Sequence, residues 1–530
     1  MPVFPIGEKC GLFLVRRSVG AKILADQKSD SDHSQSDPGD RPAHAVDARS
    51  SPAPGPEGID MNASPGTPSG GHGMHLPETL RPGLPLSKDR RRRVAITASS
   101  VGTVIEWYDY MVYAFVAVTI AKVFFPSGDP AVAVLSALAV FGVSFLFRPL
   151  GGMLFGHIAD RFGRRPALTI SVIGMAGTSA LMGVLPVYAS VGLLAPILLV
   201  TLRAVQGVAA GGEMASAATY TAEASSDRTR AFDTSFVNLG LVTGTALGAV
   251  VTAVLYATLT DQQMLEWGWR VPFLLSVPMG LVAVFIRRHM EESEEFDRID
   301  QADAVKKSPI REALTQAPRQ VLLVTGLNLG SFAAYYIVFT YMSTYFQTQG
   351  ILTASQASWS TVSALLFAGL SLPFWGRWAD KVGRKPVFLI ATGSLTLLAY
   401  PLFLMMKQGT GFAIGGQLIF GLLEGAYLGV YLSAYTELFT PALRVSGIAL
   451  GYNISSIIAG GPAPYVSQWL IRQTGIAEAP AFFLIGMTGI SFCVVLFAYR
   501  ETLGRGLPGK GPDGTVPGHS VALPIPAPSV

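Results

Sequence analysis

Long apolar stretches recur along this chain, and they constrain its fold more than any other feature. From Val94 onward there are twelve of them, each about 20 residues long and therefore able to cross a hydrocarbon core as an α-helix. Because backbone polar groups find no partner in lipid, helices are the expected spanning structure. The sequence thus predicts an all-α membrane protein with two sets of six helices. The approximate spans are 94–121, 132–156, 167–187, 193–219, 232–258, 270–288, 321–346, 354–377, 387–406, 410–437, 446–470 and 480–500.

The composition divides the chain into apolar halves and polar segments. Half of the 530 residues are hydrophobic and 14% are charged, whereas soluble domains carry about 25% charged residues. Residues 1–93 and 501–530 contain too few large apolar side chains to offset chain entropy, so both are predicted to be disordered tails. A charged loop at 289–320 separates the halves 94–288 and 321–500. The net charge of +4 does not indicate a nucleic-acid partner.

Lysine and arginine concentrate in the loops on one side of the predicted spans. They include KDRRRR before the first span, DRFGRR, DRTR, the central loop and DKVGRK, whereas the opposite loops carry few positive charges. Positive loops remain in the cytoplasm during insertion. The pattern predicts a multi-pass plasma-membrane protein with both termini cytoplasmic.

Two copies of one motif show that the halves are internal repeats. The second span ends in GHIADRFGRRP (156–166) and the eighth in GRWADKVGRKP (376–386). Both read G-x-x-x-D-[RK]-x-G-R-[RK]-P. A Glu-x6-Arg pair also follows span four and again span ten. Such parallel repeats are typical of transporters.

The chemistry of the motif predicts contacts that form in one conformation and break in another. Glycine permits the tight turn and close helix approach, and the aspartate can pair with arginine or with a helix N-terminus of the other half. The predicted gating residues are Gly156, Asp160, Arg161, Gly163, Arg164, Arg165, Gly376, Asp380, Gly383, Arg384, Glu223, Arg230, Glu437 and Arg444.

The twelve spans and the doubled motif resemble the major facilitator superfamily. More narrowly, EWYDY, FFPSGDP, FRPLGG, RAVQGVAAGGE and EWGWRVPF resemble its metabolite:proton symporter family, which includes permeases for α-ketoglutarate, citrate, shikimate and proline/betaine. The resemblance extends from about Val94 to Arg500. It implies proton-driven uptake of a small polar metabolite by alternating access. Thr245 stands where drug antiporters of the superfamily carry a proline, which disfavours drug export.

Acidic residues inside the spans are candidates for proton coupling. An ionised side chain at the centre of a lone helix costs roughly 2.5–3.5 kcal/mol, unless it is protonated, paired or in contact with water. Glu106 and Asp109 lie in the first span and share a helical face with two tyrosines, and Glu213 lies in the fourth. We expect Glu106, Asp109 and Glu213 to carry the proton. The alternative is that they pair with arginines and only hold helices together.

Other polar residues in the spans are predicted to bind the substrate. Two intramembrane arginines favour an anionic group, and tyrosines can donate to carboxylates or stack on a cation. The tyrosines of span ten could equally form a packing seam. The predicted set is Tyr110, Tyr113, Arg148, Arg203, Gln206, Asn328, Tyr335, Glu424, Tyr427 and Tyr431.

These features predict a proton-coupled symporter that imports a small organic acid, such as a 2-oxo acid, a di- or tricarboxylate, or a shikimate-like acid. Two alternatives stay open: uptake of a zwitterion of the proline/glycine-betaine type, and a receptor that keeps the fold without transport. The chain is not expected to be an enzyme. It is expected to need no cofactor or metal beyond the proton gradient, and to act as a monomer in the lipid bilayer.

Overall fold

The computed structural model of the protein describes residues 88–162, 164–211, 213–288 and 309–508. This part of the chain is built from α-helices, several with short π-helical turns, and contains no strand. The predicted tail up to residue 87 lies outside the described residues, as do most of the central loop and the end of the chain.

Six apolar helices, α1 to α6, form the first half. The first is bent by 57° after Phe115. The fourth is interrupted around Gly211, where a glycine-rich stretch separates two helical segments. The bounds are Lys88–Phe115 with Ala117–Phe124 for α1, Pro130–Phe162 for α2, Arg164–Gly183 for α3, Leu194–Ala209 with Glu213–Ala224 for α4, Arg230–Thr258 for α5 and Asp261–Phe285 for α6.

The second half repeats this order with helices α7 to α12. Their bounds are Pro318–Thr348 for α7, Ala354–Val382 for α8, Arg384–Met406 for α9, Thr410–Thr436 for α10, Pro441–Thr474 for α11 and Pro480–Ala498 for α12. A short additional helix, Pro309–Gln316, precedes α7.

The predicted fold class is confirmed by these helices. Among the described residues, ten helices are long and apolar enough to cross a membrane, and the bent α1 makes an eleventh. The remaining predicted span corresponds to α3, whose described apolar part, Thr169–Gly183, is shorter.

Several segment limits differ from those predicted. Helical structure begins at Lys88 rather than at Val94, because a helix continues into its polar flank as long as its backbone bonds are made. The C-terminal tail is ordered for a few residues beyond 500, where Thr502 and Leu507 are buried. Hydrogen bonds of Glu501 and Thr502 to the rest of the protein hold this segment. Composition alone does not indicate such bonds.

Helix α5 connects the two halves. It packs against α1 in its own half and against α8 in the other. At Gly376 of α8 an added Cβ would lie 2.8 Å from the backbone oxygen of Ala231 in α5. A larger side chain would therefore separate the halves at this point, and the central site lies farther along the same interface.

Candidate substrate and proton site between the halves

A small cavity lies between the two halves, with walls from α1, α2, α4 and α11. Its volume open to water is about 20 Å³, which is close to the least that holds a water molecule. The protein is therefore in a closed conformation, and a solute can enter only after the halves move apart. The lining residues of this central cavity are Glu106, Trp107, Arg148, Ala210, Gly211, Glu213, Met214, Ala215, Ala449, Tyr452 and Asn453.

Arg148 supplies the positive charge of the central cavity. Its side chain is 2% exposed, and its guanidinium carbon lies 4.2 Å from the centre of the Tyr110 ring and 5.0 Å from that of Phe145. Its Nε donates no hydrogen bond within the described part of the chain. Aromatic faces stabilise a cation without neutralising it. Arg148 is thus held in place while remaining able to bind an anionic group.

Two glutamates bring negative charge to the same cavity. Glu106 belongs to α1 and interacts electrostatically with Arg148. Glu213 opens the second segment of α4, directly after the glycine-rich break. The cavity thus combines one cation with two acids.

Asp109 is placed differently from Glu106, although both were predicted to couple protons. Its side chain is 1% exposed, and it does not line the central cavity. It lies inside the first half, beside Ser276 of α6. Its backbone oxygen accepts hydrogen bonds from Gln206 and Ser179 at 3.2 and 3.5 Å. The structure therefore brings Glu106 and Glu213 to the cavity and leaves Asp109 behind the wall.

Arg203 and Gln206, both predicted to bind substrate, are used inside the first half. Arg203 donates to Gln206 Oε1 at 2.6 Å, to Ser144 Oγ at 3.2 Å and to the backbone oxygen of Phe141 at 3.3 Å. Gln206 in turn donates to Ser179 Oγ at 2.8 Å. Neither residue lines the central cavity, so in this conformation their role is to join α2, α3 and α4.

Tyr110 lies against both arginines, and Tyr113 lies against Arg203. The Tyr110 hydroxyl is hydrogen-bonded to Ser144 Oγ at 2.8 Å, and the Tyr113 hydroxyl donates to the backbone oxygen of Ala137 at 3.0 Å. The guanidinium of Arg203 lies 4.6 Å from the centre of the Tyr113 ring. Tyr110 therefore positions both arginines, and Tyr113 positions Arg203.

Glycines allow α2 and α4 to approach closely at this wall. A Cβ added to Gly207 would lie 2.1 Å from the backbone oxygen of Ser144, and one added to Gly211 would lie 2.4 Å from that of Arg148. Contacts this short are possible only without a side chain. The glycine-rich sequence of α4 therefore sets the position of Arg148.

A second cavity lies on the other side of Trp107 and Tyr452, toward the second half. Its volume open to water is about 10 Å³. The residues that line it are Trp107, Leu241, Asn328, Ser331, Phe332, Tyr335, Leu428, Tyr431 and Tyr452. Trp107 and Tyr452 belong to both cavities, so the two are neighbouring parts of one interface.

Two of the residues predicted in the second half, Tyr427 and Asn328, belong to one hydrogen-bonded chain. Tyr427 donates to the backbone oxygen of Leu327 at 2.6 Å and is bonded to the hydroxyl of Tyr435 at 2.9 Å. Tyr435 donates to Asn328 Oδ1 at 3.2 Å, and Asn328 donates to Ser455 Oγ at 3.0 Å. Asn328 lines the second cavity, whereas Tyr427 lies behind it.

Two further tyrosines of the second half reach across to α5. Tyr431 donates to Asn238 Oδ1 at 3.0 Å, and the hydroxyl of Tyr335 is bonded to that of Thr245 at 2.6 Å. Asn238 also donates to the backbone oxygen of Leu428 at 2.6 Å. These bonds hold the halves together beside the second cavity.

The second copy of the repeated motif joins the halves at one end of the bundle, called here the motif end. Asp380 of α8 accepts hydrogen bonds from the backbone N–H groups of Ala231 and Phe232 at 3.0 and 2.9 Å, in the first turn of α5. A carboxylate is stabilised at a helix N-terminus. Arg384, the first residue of α9, lies 3.2 Å from Asp380 and also binds Glu437 at 3.0 Å.

The Glu-x6-Arg pairs are exchanged between the halves. Arg230 of the first half binds Glu437 of the second at 2.7 Å, and Arg444 of the second half binds Glu223 of the first at 2.5 Å. Each arginine thus closes on the glutamate of the other repeat, and opening this end breaks both pairs.

The first copy of the motif lies outside this description. The predicted gating residues Gly156, Asp160, Arg161, Gly163, Arg164 and Arg165 are not among the residues whose side chains the structure describes. Gly383 of the second copy has φ 108°, a backbone conformation that favours glycine.

At the opposite end, an ion pair between described residues connects the halves. Arg472 of α11 donates to Asp129, just before α2, at 3.0 Å. Both side chains are about half exposed, so this contact is weak compared with the buried pairs at the motif end.

Some residues of the site were not predicted. Asn453 donates to the backbone oxygen of Gly211 at 3.3 Å, and Asn238, Thr245 and Tyr452 also lie at the interface. Each is a polar or amphipathic residue within an apolar span, and this pattern is the feature of the sequence that could have identified it. Glu501, in the predicted tail, accepts from the backbone N–H groups of the first two residues of α9 at 2.9 Å, and no sequence pattern indicates this contact.

Comparison with known proteins identifies the family of this chain. The sequence model of the Major Facilitator Superfamily matches residues 100–352 and 351–525. The proline/betaine transporter of Salmonella typhimurium is 33% identical over 434 residues, covering 80% of this chain and 86% of that protein. The glycine betaine/proline/ectoine/pipecolic acid transporter OusA of Dickeya dadantii is 35% identical over 434 residues, covering 80% of this chain and 86% of that protein. The shikimate transporter of Escherichia coli is 38% identical over 420 residues, covering 78% of this chain and 95% of that protein.

Solved structures show the same fold. The proton:xylose symporter XylE, bound to 6-bromo-6-deoxy-D-glucose, matches with a TM-score of 0.65 and 17% identity, covering 79% of this chain and 98% of that one. A partially occluded, inward-open conformation of XylE from E. coli matches with a TM-score of 0.63 and 17% identity, covering 78% of this chain and 99% of that one. The two six-helix halves, the family match and the relatives together show that this chain is a multi-pass membrane protein of the major facilitator superfamily, a family of transporters and not of enzymes.

Proposed function

We propose that this protein is a proton-coupled symporter that imports a zwitterionic solute of the betaine and proline class across the plasma membrane. The observation that carries the proposal is the central cavity, whose lining combines Arg148 with Glu106 and Glu213. Transport requires no cofactor, and the driving ion is the proton.

The balance of charge in the cavity favours a zwitterion over a di- or tricarboxylate. The carboxylate of a zwitterion pairs with the planar guanidinium of Arg148. Its cationic group is then stabilised by Glu213, while Glu106 carries the proton. A dicarboxylate would place two negative charges beside one arginine and two acids, and the resulting repulsion would oppose binding.

The aromatic walls support the same substrate class. Trp107 and Tyr452 line both cavities, and aromatic faces attract substituted ammonium groups. Two of the relatives carry betaine and proline in their names. These observations support the zwitterion alternative over the organic acid that the sequence first suggested.

Proton coupling is proposed to act through charge neutralisation. A proton on Glu106 and a carboxylate on Arg148 together remove two charges from the interface. The closed, dry cavity then forms at a lower cost, because buried ionised groups are costly in the membrane. The loaded carrier changes conformation and the half-loaded carrier does not. Glu213 is the second acid of this site. Asp109 lies behind the cavity wall and has a secondary role in proton coupling.

The orientation follows from the same proposal. Arginines and lysines at the motif end place that end, and both termini, in the cytoplasm. The exchanged ion pairs would then close the cytoplasmic side. We propose that a single chain carries the complete pathway.

A shikimate-like acid is the second candidate. The shikimate transporter of E. coli is 38% identical to this chain, and a single carboxylate would fit Arg148 as well as that of a zwitterion. Such a substrate brings no cationic group to Glu106 and Glu213.

Uptake into liposomes containing the purified protein tests this assignment. With an acid-outside pH gradient, we expect radiolabelled glycine betaine or proline to accumulate, and shikimate and 2-oxoglutarate to compete weakly. A protonophore should abolish accumulation, and protein-free liposomes give the background. Accumulation of shikimate without competition by betaine or proline would favour the second candidate. Uptake of none of these solutes would overturn the proposal.

A further inference from the structure

We propose that Glu424 of α10 is a second proton-carrying carboxyl, located in the second half and separate from the acids of the central cavity. The proposal rests on the proton-coupled function above and extends it. It concerns a residue that the sequence suggested as a substrate ligand but that lines neither cavity.

Glu424 is sealed inside the second half. Its side chain is 0% exposed. Oε1 accepts a hydrogen bond from Ser331 Oγ of α7 at 2.6 Å, and Oε2 has no hydrogen-bond partner within the described part of the chain. One hydroxyl donor is too little to stabilise an ionised carboxylate.

Among the described residues, the groups that face Glu424 carry no positive charge. Those that interact with it electrostatically are tyrosines: Tyr335 of α7, and Tyr427 and Tyr431 of α10. None of the ion pairs within the described residues includes Glu424.

The helices on the other sides of α10 are equally uncharged at this level. Helix α8 approaches through Ala364 and Ala368, against glycines on either side of Glu424. Helix α9 contributes Phe388 and Phe403, which pack on other rings of α10. On the side of α11, the titratable neighbour is Tyr452, which contacts Tyr431.

These surroundings determine the protonation of Glu424. A buried carboxylate without a cation is costly in a membrane interior, so the closed form holds the neutral acid. The ionised carboxylate becomes stable enough to form only when water reaches it. Glu424 therefore gains or loses a proton as the interface opens and closes.

Ser331 provides the connection to solvent. It donates to Glu424 and also lines the second cavity. When the halves separate, water that fills this cavity reaches the hydroxyl next to the carboxyl. A proton on Glu424 can then leave on one side of the membrane and be replaced on the other.

A purely structural role makes a different prediction. A neutral acid that only joins α7 to α10 can be replaced by an amide, because Glu424→Gln keeps both the shape and the hydrogen bond to Ser331. The number of protons moved with each solute would then be unchanged.

The test measures that number in liposomes, from the membrane voltage and pH gradient at which net solute flux reverses. We expect Glu424→Gln to move one proton fewer per solute than the wild type while retaining exchange of solute across the membrane. Glu424→Asp, which can still titrate, should keep the wild-type ratio. A wild-type ratio in Glu424→Gln overturns the proposal.

Serine variants keep the test decisive if Glu424→Gln does not fold. Ser331→Ala removes the donor that stabilises the charged form of Glu424, so the pH midpoint of exchange should shift upward. Ser360→Ala is the matched control. Ser360 of α8 makes a similar buried bond, at 2.5 Å, to Gln417 of α10, the helix that carries Glu424. Equal midpoints in the two serine variants contradict the proposal. If the wild type shows no proton-driven uptake at all, it is the proposed function that fails.

Discussion

The guanidinium of Arg148 lies over the ring of Tyr110, with 4.2 Å between its central carbon and the ring centre. The Tyr110 hydroxyl is fixed by Ser144, which also accepts a hydrogen bond from Arg203. The ring therefore cannot turn away without breaking buried bonds. Arg203 thus helps to fix the Tyr110 ring, and that ring positions Arg148 in the central cavity.

Because Arg148 lines the cavity and Arg203 does not, substitution by lysine should have different effects at the two positions. Arg148→Lys keeps the charge but loses the planar fork and the ring contact, so we expect the apparent KM for the solute to rise about tenfold, which is roughly 1.4 kcal/mol. Uptake assays at several concentrations measure it.

Arg203→Lys is the matched control for that measurement. It should lower the thermal stability of the purified protein, because bonds to Gln206 and Ser144 are lost, while changing KM less than Arg148→Lys. An unchanged KM in Arg148→Lys would show that Arg148 does not bind the solute.

The close approach of α2 and α4 predicts a strict requirement for glycine at 207. Gly207→Ala places a methyl group against the backbone oxygen of Ser144, and overpacking of this kind costs about 1–3 kcal/mol. We expect a lower melting temperature in detergent. Gly177→Ala in α3, where nothing lies within 4 Å of the added atom, should leave it nearly unchanged. Equal melting temperatures for the two variants would contradict the packing described.

The contact of Asp380 with α5 predicts control of one conformation. Asp380→Asn weakens the bonds to Ala231 and Phe232, so the motif end should open more often. We expect a cysteine at Thr234, buried in the wild type, to react several-fold faster with a water-soluble reagent in a background lacking Cys10 and Cys493. Lys381→Ala, one residue away, is the control and should not change the rate. A slower or equal rate in Asp380→Asn would exclude this role.

The sequence predicted the spans and the repeated motif because both are local patterns. Apolar length alone identifies a helix such as α8, and the two motif copies identify the halves. The partners of individual residues were not predictable in the same way. Helical periodicity places Arg203 on a polar face, but only the packed structure shows that Gln206 and Ser144 satisfy it. Likewise, Asn238 and Tyr431 are 193 positions apart, and no single-sequence pattern links them.

The ordered start of the C-terminal tail predicts a pH effect on stability. Burial alone would raise the pKa of Glu501, but hydrogen bonds from backbone N–H groups, including those of Arg384, Leu503 and Lys385, outweigh it and hold the pKa below its usual value. The ionised form therefore stabilises the folded protein above the pKa of the unfolded chain, about 4.3. This contribution is lost as the pH falls through the lower, folded value.

Melting temperatures of the wild type and Glu501→Gln between pH 7 and pH 3 measure this contribution. The wild type should be more stable at pH 7, and the difference should shrink at the acidic end. A difference that stays constant over this range would mean that the charge of Glu501 contributes nothing.

The most direct test of the central claim is proton movement with the solute in liposomes containing wild-type protein, Glu106→Gln or Asp109→Asn. For the wild type, we predict that glycine betaine accumulates under an acid-outside gradient and that protons enter with it. Glu106→Gln should lose this accumulation but still exchange labelled for unlabelled solute, whereas Asp109→Asn, behind the cavity wall, should retain part of the gradient-driven uptake. Full gradient-driven accumulation in Glu106→Gln, or betaine uptake by the wild type that does not respond to the pH gradient, would contradict the account.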